Sequence, residues 1–305
     1  MYHMEYANVT LLAVQQFYQE LYPALSYTII LLTSLEEYLL LIWSLLITYS
    51  ANIIMIYILY VILNYGIYKK YFNNSDTDKN SWWSNRKLTG CTRVLFVIAH
   101  PDDECMFFGP TIVSLVKSKA QVYLVCLSVG DMYGHGNERK HELWSACEAL
   151  GIDSSSIWLY KYDKLKDDPK VEWRAGLVAS LILKTVETLD IDTVITFDKK
   201  GVSGHKNHVS IYRAMTLLRS RNSLPSNCRV YLLETVCLLR KYSFYADILL
   251  SILFSKSLVY VTNVNEHKLI TSAMTKHVSQ FVWYRKLFMI FSRYTYINTL
   301  SNFIG

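Results

Sequence analysis

No lysine or arginine occurs in the first 65 residues, although the 305-residue chain holds 31 of them. Charge is sparse throughout, at 18% of residues against about 25% in an ordinary soluble domain. Glycine and proline are few, 11 and 5, which excludes collagen-like and low-complexity chains. Six cysteines (91, 105, 126, 147, 228 and 237) include no Cys-x-x-Cys pair and match no zinc-ribbon spacing. They read as reduced thiols acting as small hydrophobes in a cytosolic setting. No G-x-x-x-x-G-K-[ST] loop is present, which argues against a phosphate-cradling loop of that class. What the chain has is apolar mass: 52% hydrophobic residues and 24 tyrosines, enough to exclude disorder.

The missing basic residues divide the chain. Four acids (Glu5, Glu20, Glu36 and Glu37) give the first 65 residues a net charge of −4, and the remainder carries 31 basic against 21 acidic groups, or +10. The head holds 31 uncharged positions at 38–68, more than the roughly 20 apolar residues that cross a bilayer. This predicts a transmembrane helix. A shorter apolar stretch at 21–35 reads as an interfacial segment, part of a longer tilted helix, or one arm of a hairpin. A cleaved signal peptide does not fit, because no basic residues precede the apolar run. Glu36 and Glu37 before the run and Lys69 and Lys70 after it place the body in the cytoplasm and the N-terminus in the lumen. Two sequons, at Asn8 and Asn73, lie on opposite sides of the span, and Trp82 and Trp83 are candidate headgroup neighbours. The division is therefore 1–70 luminal segment and anchor, 71–90 polar linker, and 91–305 catalytic domain.

In the body, short β-branched apolar runs at 93–99, 121–128, 157–160, 193–197, 229–236 and 258–262 alternate with helical patterns at 107–119, 137–150, 171–189 and 205–219. Such alternation predicts an α/β fold, a Rossmann-like, mostly parallel, doubly wound sheet. Sites in these sheets lie at the carboxyl ends of strands, and three polar clusters sit there. His100-Pro101-Asp102-Asp103-Glu104 follows the first strand; three adjacent acids beside a histidine suggest a cation held by His100 and Asp103, with Asp102 free to take a proton. Asp198 to His208 follows the fourth strand, with His205 and His208 three apart at a helix start. Ser128 to Leu143 follows the second and carries Arg139 and Lys140 into a helix; alone, it also reads as a solvated loop. Two histidines and one carboxylate leave metal positions open, the catalytic pattern of Zn²⁺, and the same triad suits Fe²⁺.

AHPDDE at 99–104 and TFDKKGVSGHKNH at 196–208 resemble the LmbE-like metal-dependent de-N-acetylases. The resemblance covers roughly 92–300 and is closest to the eukaryotic branch acting on N-acetylglucosaminyl-phosphatidylinositol (GlcNAc-PI) in glycosylphosphatidylinositol-anchor synthesis; LRKY at 239–242 and FSRY at 291–294 share it. It implies His100, Asp103 and His208 as metal ligands and Asp102 as general base. It implies His205 as oxyanion partner or acid, Arg139 as a substrate contact, and Glu104 as an orienting group. It also implies a single-pass endoplasmic reticulum protein with a cytoplasmic catalytic domain. Asn207 stands where bacterial relatives carry Asp, so tuning of His205 falls to another group, with Asp198 as the candidate. A deacetylase of another N-acetylglucosamine conjugate and a non-catalytic tethered scaffold are the alternatives; nucleic acid binding is not expected, since no recognition motif occurs. The segment 242–255 is too short to span, and 280–298 reads either as an interfacial helix or as one packed on the core.

Overall fold

The computed structural model describes residues 2–72, 87–254 and 257–303. Trp82, Trp83, the Asn73 sequon and most of the expected linker lie outside them. The chain forms two compact units, residues 1–60 and 61–305.

Helix α1 runs unbroken over Tyr2–Tyr71, so the stretch at 21–35 continues the helix of 38–68 and no hairpin turn intervenes. Of it, Val14–Tyr71 is long and apolar enough to cross a membrane. The final turns of α1 belong to the second unit rather than to the head. Asn64 Oδ1 accepts from Leu249 N at 3.0 Å, and the Tyr68 ring lies 4.5 Å from that of Tyr245.

In chain order the second unit continues β1 (Arg93–Ile98), α2 (Asp103–Met106), α3 (Gly109–Lys117), β2 (Gln121–Cys126), α4 (Gly136–Ala149), β3 (Ile157–Leu159), α5 (Ala175–Thr188), β4 (Thr193–Phe197), α6 (Gly201–Gly204), α7 (Lys206–Ser220), β5 (Arg229–Leu233), α8 (Leu238–Lys241), α9 (Asp247–Phe254), β6 (Leu258–Val261), α10 (Val264–Thr275), α11 (Trp283–Phe291) and β7 (Ile297–Asn302). One seven-stranded sheet has the order β3-β2-β1-β4-β5-β7-β6. The first five strands are parallel, and β7 runs antiparallel to both neighbours. The strands β1, β2 and β4 are almost wholly buried, as a sheet covered on both faces requires. Strand order reverses between β1 and β4, and their carboxyl ends open the crevice where such folds bind ligands.

Three sequence expectations change. The strand at 258–262 is not the last, because β7 follows it. Its sequence, INTLSN, is polar at four of six positions and hides its burial: Asn298 sits in the core because its amide bonds Thr111 Oγ1 (2.8 Å) and Phe107 O (2.9 Å). Helix α5 starts four residues late, since Val171 O and Trp173 N are taken by Asn207 and Ser210 of α7 at 2.9 Å each. The segment 280–298 is not one helix. It divides into α11, a 3₁₀ turn and the start of β7, and its Arg293 is fully buried.

Candidate metal centre and active site

The loop after β1 is fixed by one carboxylate. Asp103 Oδ2 accepts the backbone N–H groups of Ala99 (3.0 Å) and His100 (2.9 Å), folding the chain back sharply at the strand end. Asp102 is left at φ 109°, a left-handed conformation that a non-glycine residue adopts only where its surroundings over-determine it. Here they do: Glu104 Oε2 accepts from Asp102 N at 3.0 Å, and Glu104 Oε1 is held by His277 Nε2 at 2.5 Å. Both Glu104 and His277 are completely buried. Glu104 thus links the Asp102 backbone to His277. His277, from the loop after α10, was not singled out in the sequence, where nothing near it signals a site.

Opposite, β4 leads into α6. Gly201 adopts φ 58°, and a Cβ there would come within 2.9 Å of His208 Cβ. Asp198 ties this turn together, accepting from Lys200 N, Gly201 N and Thr235 N. Its oxygens are thus spent on the backbone, and His205 is instead influenced by Asp103 and Asp167. His208, on the first turn of α7, stacks on Phe197 at 4.0 Å and donates from Nδ1 to Gly201 O at 3.1 Å. That bond fixes the tautomer and turns Nε2 inward, where it is buried with no hydrogen-bond partner and faces Asp103 Oδ1 at 3.4 Å.

His100 is oriented in the same way. Its Nε2 lies 3.0 Å from Asn207 Oδ1 and 3.1 Å from Asp167 Oδ1, leaving Nδ1 turned to Asp103 Oδ2 at 3.9 Å. Two imidazole nitrogens and a carboxylate converge within 4.8 Å of one another. Each histidine spends its other nitrogen on an oxygen acceptor, the arrangement that orients metal-ligating histidines. An unpartnered buried nitrogen is costly unless a cation fills it, so the residues fit a divalent ion. Burial alone pushes the Asp103 carboxyl up; His208, His100 and the His100 N–H outweigh it and hold Asp103 far below the usual carboxylate range. His100, Asp167 and His205 also cluster, but that set needs the His100 nitrogen already facing Asn207.

Asp102 lies beside this trio. Its Oδ2 is paired with Arg285 of α11 and lies 3.4 Å from Arg139 Nη2. Burial nevertheless raises its pKa above the ordinary range, against the pull of Arg285 and Arg139. Arg139 is itself buried and spent on Pro101 O (2.6 Å), Gly130 O (2.8 Å) and Asp167 (3.1 Å); only Nε is without a partner. The residue expected to contact substrate thus first of all braces Asp102. Gly130 makes room for it, since a Cβ there would meet the guanidinium at 2.4 Å. His205 caps α7, its Nδ1 accepting from Asn207 N at 3.3 Å. Its ring lies 4.9 Å from both His100 and His208, and burial together with those two rings pushes its pKa down to about 4. All these groups line a cleft of about 320 Å³ that Tyr284 and Gln280 also border.

A family model described as "PIG-L: GlcNAc-PI de-N-acetylase" matches residues 95–218. A bovine N-acetylglucosaminyl-phosphatidylinositol de-N-acetylase is 42% identical over 212 residues, covering 70% of this chain and 84% of the relative. The chain belongs to this family. A *Dictyostelium discoideum* protein named as a probable member is 37% identical, over 68% of this chain and 92% of its own length. Among solved structures, N,N'-diacetylchitobiose deacetylase from *Pyrococcus horikoshii* shares the fold at TM-score 0.52 and 17% identity, over 70% of this chain and 84% of that one. Asp167 and Arg285, which family motifs did not flag, belong to the site by geometry. Asp167 follows β3 and carried a signal by that position alone; Arg285 lies about 180 residues from the motif it serves.

Proposed function

We propose that this chain hydrolyses the acetamide of GlcNAc-PI to glucosaminyl-phosphatidylinositol and acetate. The observation that carries the reading is the buried, unpartnered His208 Nε2 facing Asp103 and His100 beside Asp102, in a chain of this family. His100, Asp103 and His208 would hold a divalent ion, zinc by preference of the donor set, with Fe²⁺ compatible. Bound there, such an ion polarises a carbonyl and lowers the pKa of a water.

The protein groups divide the remaining work. Asp102, kept in place by Arg285 and Arg139, takes a proton from the attacking water. The raised pKa suits it to pass that proton to the departing amine as the C–N bond breaks. His205, neutral and accepting at Nδ1, carries its proton on Nε2 and donates a hydrogen bond to the developing oxyanion. The Asn207 side chain holds His100, while its backbone N–H donates to His205 Nδ1. Asp198 and Glu104 shape the two loops.

Chelation of the purified, detergent-solubilised chain abolishes acetate release from GlcNAc-PI, and added zinc or Fe²⁺ restores it. Release that survives complete metal removal contradicts the reading. Release from a different N-acetylglucosamine conjugate but not from GlcNAc-PI favours the related-deacetylase alternative.

The same reading puts α1 across the endoplasmic reticulum membrane with the catalytic unit in the cytoplasm, supported by the charge asymmetry around the apolar run. Expressed in cells, the chain then carries an endoglycosidase-sensitive glycan that Asn8→Gln removes. A glycan removed by Asn73→Gln instead reverses the orientation.

A further inference from the structure

Apart from Arg285, two neighbouring segments carry side chains that the chemistry leaves unused. On α8, Leu238 and Leu239 are 71% and 86% exposed. On α11, Phe288 and Met289 are buried, while Trp283 is 72% exposed and Leu287, Ile290 and Phe291 are also open. The segments meet: Tyr242 packs edge-on against Phe288 at 6.3 Å, and Lys241 Nζ lies 5.8 Å from the same ring. The patch continues into the cleft, whose border includes Tyr284 and Arg285 of α11. Contiguous exposed apolar surface of this kind marks an interaction site.

Its charge pattern identifies the occupant. Residues 236–246 and 276–291 contain no Asp or Glu and five basic residues; Arg240 and Arg285 are paired with Asp247 and Asp102, which leaves Lys241, Lys276 and Lys286 for a partner. Lys286 lies 5.5 Å over Phe281, and Lys241 5.7 Å over Tyr242. Lysine ammonium groups set among aromatic rings suit a membrane interface, where apolar bodies and charged tips meet the headgroups together. Protein-contact patches, by contrast, are depleted in lysine. Apolar and aromatic residues mixed with lysine, with no acid, are the composition of helices that lie in a phospholipid interface.

We infer that α8 and α11 seat the catalytic unit on an anionic phospholipid surface, with the cleft mouth at headgroup level. The seating itself does not depend on the proposed reaction. Its consequence for catalysis rests on that proposal: the sugar enters the cleft while the acyl chains stay in the bilayer.

The test uses the full chain reconstituted into phosphatidylcholine–phosphatidylserine vesicles. In a background carrying Cys91→Ser, Cys228→Ser and Cys237→Ser, an environment-sensitive fluorophore is attached at Leu239→Cys, at Trp283→Cys, or at Lys184→Cys on α5. Labels at 239 and 283 shift to the blue and are quenched by lipids carrying a shallow nitroxide, while the label at 184 is not. Labels at 239 and 283 as unquenched as that at 184 overturn the inference. A blue shift without lipid quenching also overturns it, in favour of a protein partner or a second copy. In parallel, Leu239→Glu with Trp283→Glu raises KM for GlcNAc-PI in vesicles by about tenfold or more, the scale of withdrawing two large apolar side chains from an interface, and leaves turnover of an acyl-free analogue unchanged. Quenching needs no turnover, so absence of deacetylation alongside normal quenching refutes the reaction and not the seating.

Discussion

Replacing Asp102 by Asn leaves the metal content of the purified chain intact and lowers its turnover by about 10²–10⁴, the usual worth of a general base. The substitution is close to isosteric, and asparagine tolerates a positive φ better than most residues, so the strained turn between β1 and α2 is kept. What is lost is the proton acceptor. Arg285 and Arg139 then face a neutral amide, but Arg139 retains Pro101 O, Gly130 O and Asp167, and the cleft keeps its shape. Metal analysis and initial rates on the same preparation check this. Turnover equal to the unsubstituted chain removes Asp102 from the base role, and lost metal moves it into the ligand set.

Asp247→Ala destabilises the chain by about 3–5 kcal/mol, the cost of leaving a buried charge without its partner. Asp247 is the hub of a buried cluster. It forms an ion pair with Arg293 Nε at 2.9 Å and accepts from Arg240 Nε at 2.5 Å and from Ser251 Oγ at 2.6 Å. Arg293 is completely buried, and burial lowers its pKa against the pull of Asp247. Removing the carboxylate leaves Arg293 charged in the core, with Ser251 Oγ at 3.0 Å and the face of the Tyr294 ring as its remaining neighbours. Thermal and denaturant unfolding of the detergent-solubilised chain read the change. Asp247→Leu combined with Arg293→Met recovers most of the loss, because well-packed apolar replacements of a buried pair are often neutral or stabilising. A single variant as stable as the parent shows that the pair contributes nothing.

That cluster also explains two sequence signatures. LRKY at 239–242 and FSRY at 291–294 lie about 50 residues apart, with no pattern to connect them. The structure joins Arg240 and Arg293 on one carboxylate, so these motifs are structural. Arg293, read from sequence as one of the basic groups of an amphipathic segment, is instead the core of the contact between the β7 side of the sheet and α9. Periodicity failed at 280–298 because Ser292, Arg293, Thr295 and Asn298 are buried, which hydropathy alone cannot distinguish from exposure.

The candidate metal trio was legible because the segments that carry it follow two neighbouring strands, β1 and β4. His100 and Asp103 share one loop, and His208 starts the helix after the other. The supports of Asp102 were not legible. Arg285 and His277 come from the far end of the chain, and Asp167 from a loop with no regular structure. Nothing beyond Asp167's place after a strand marks them, since what positions them is the packing of α10, α11 and β3 around the cleft. The N-terminal apolar run, in contrast, could be read directly as one long helix, a candidate span by length and composition.

The most direct test of the central claim measures bound metal and acetate release from GlcNAc-PI in the same reconstituted sample, for the unsubstituted chain and for His208→Ala. The account expects about one divalent ion per chain with release in the first, and both lost together in the second. Acetate release undiminished in His208→Ala would contradict it.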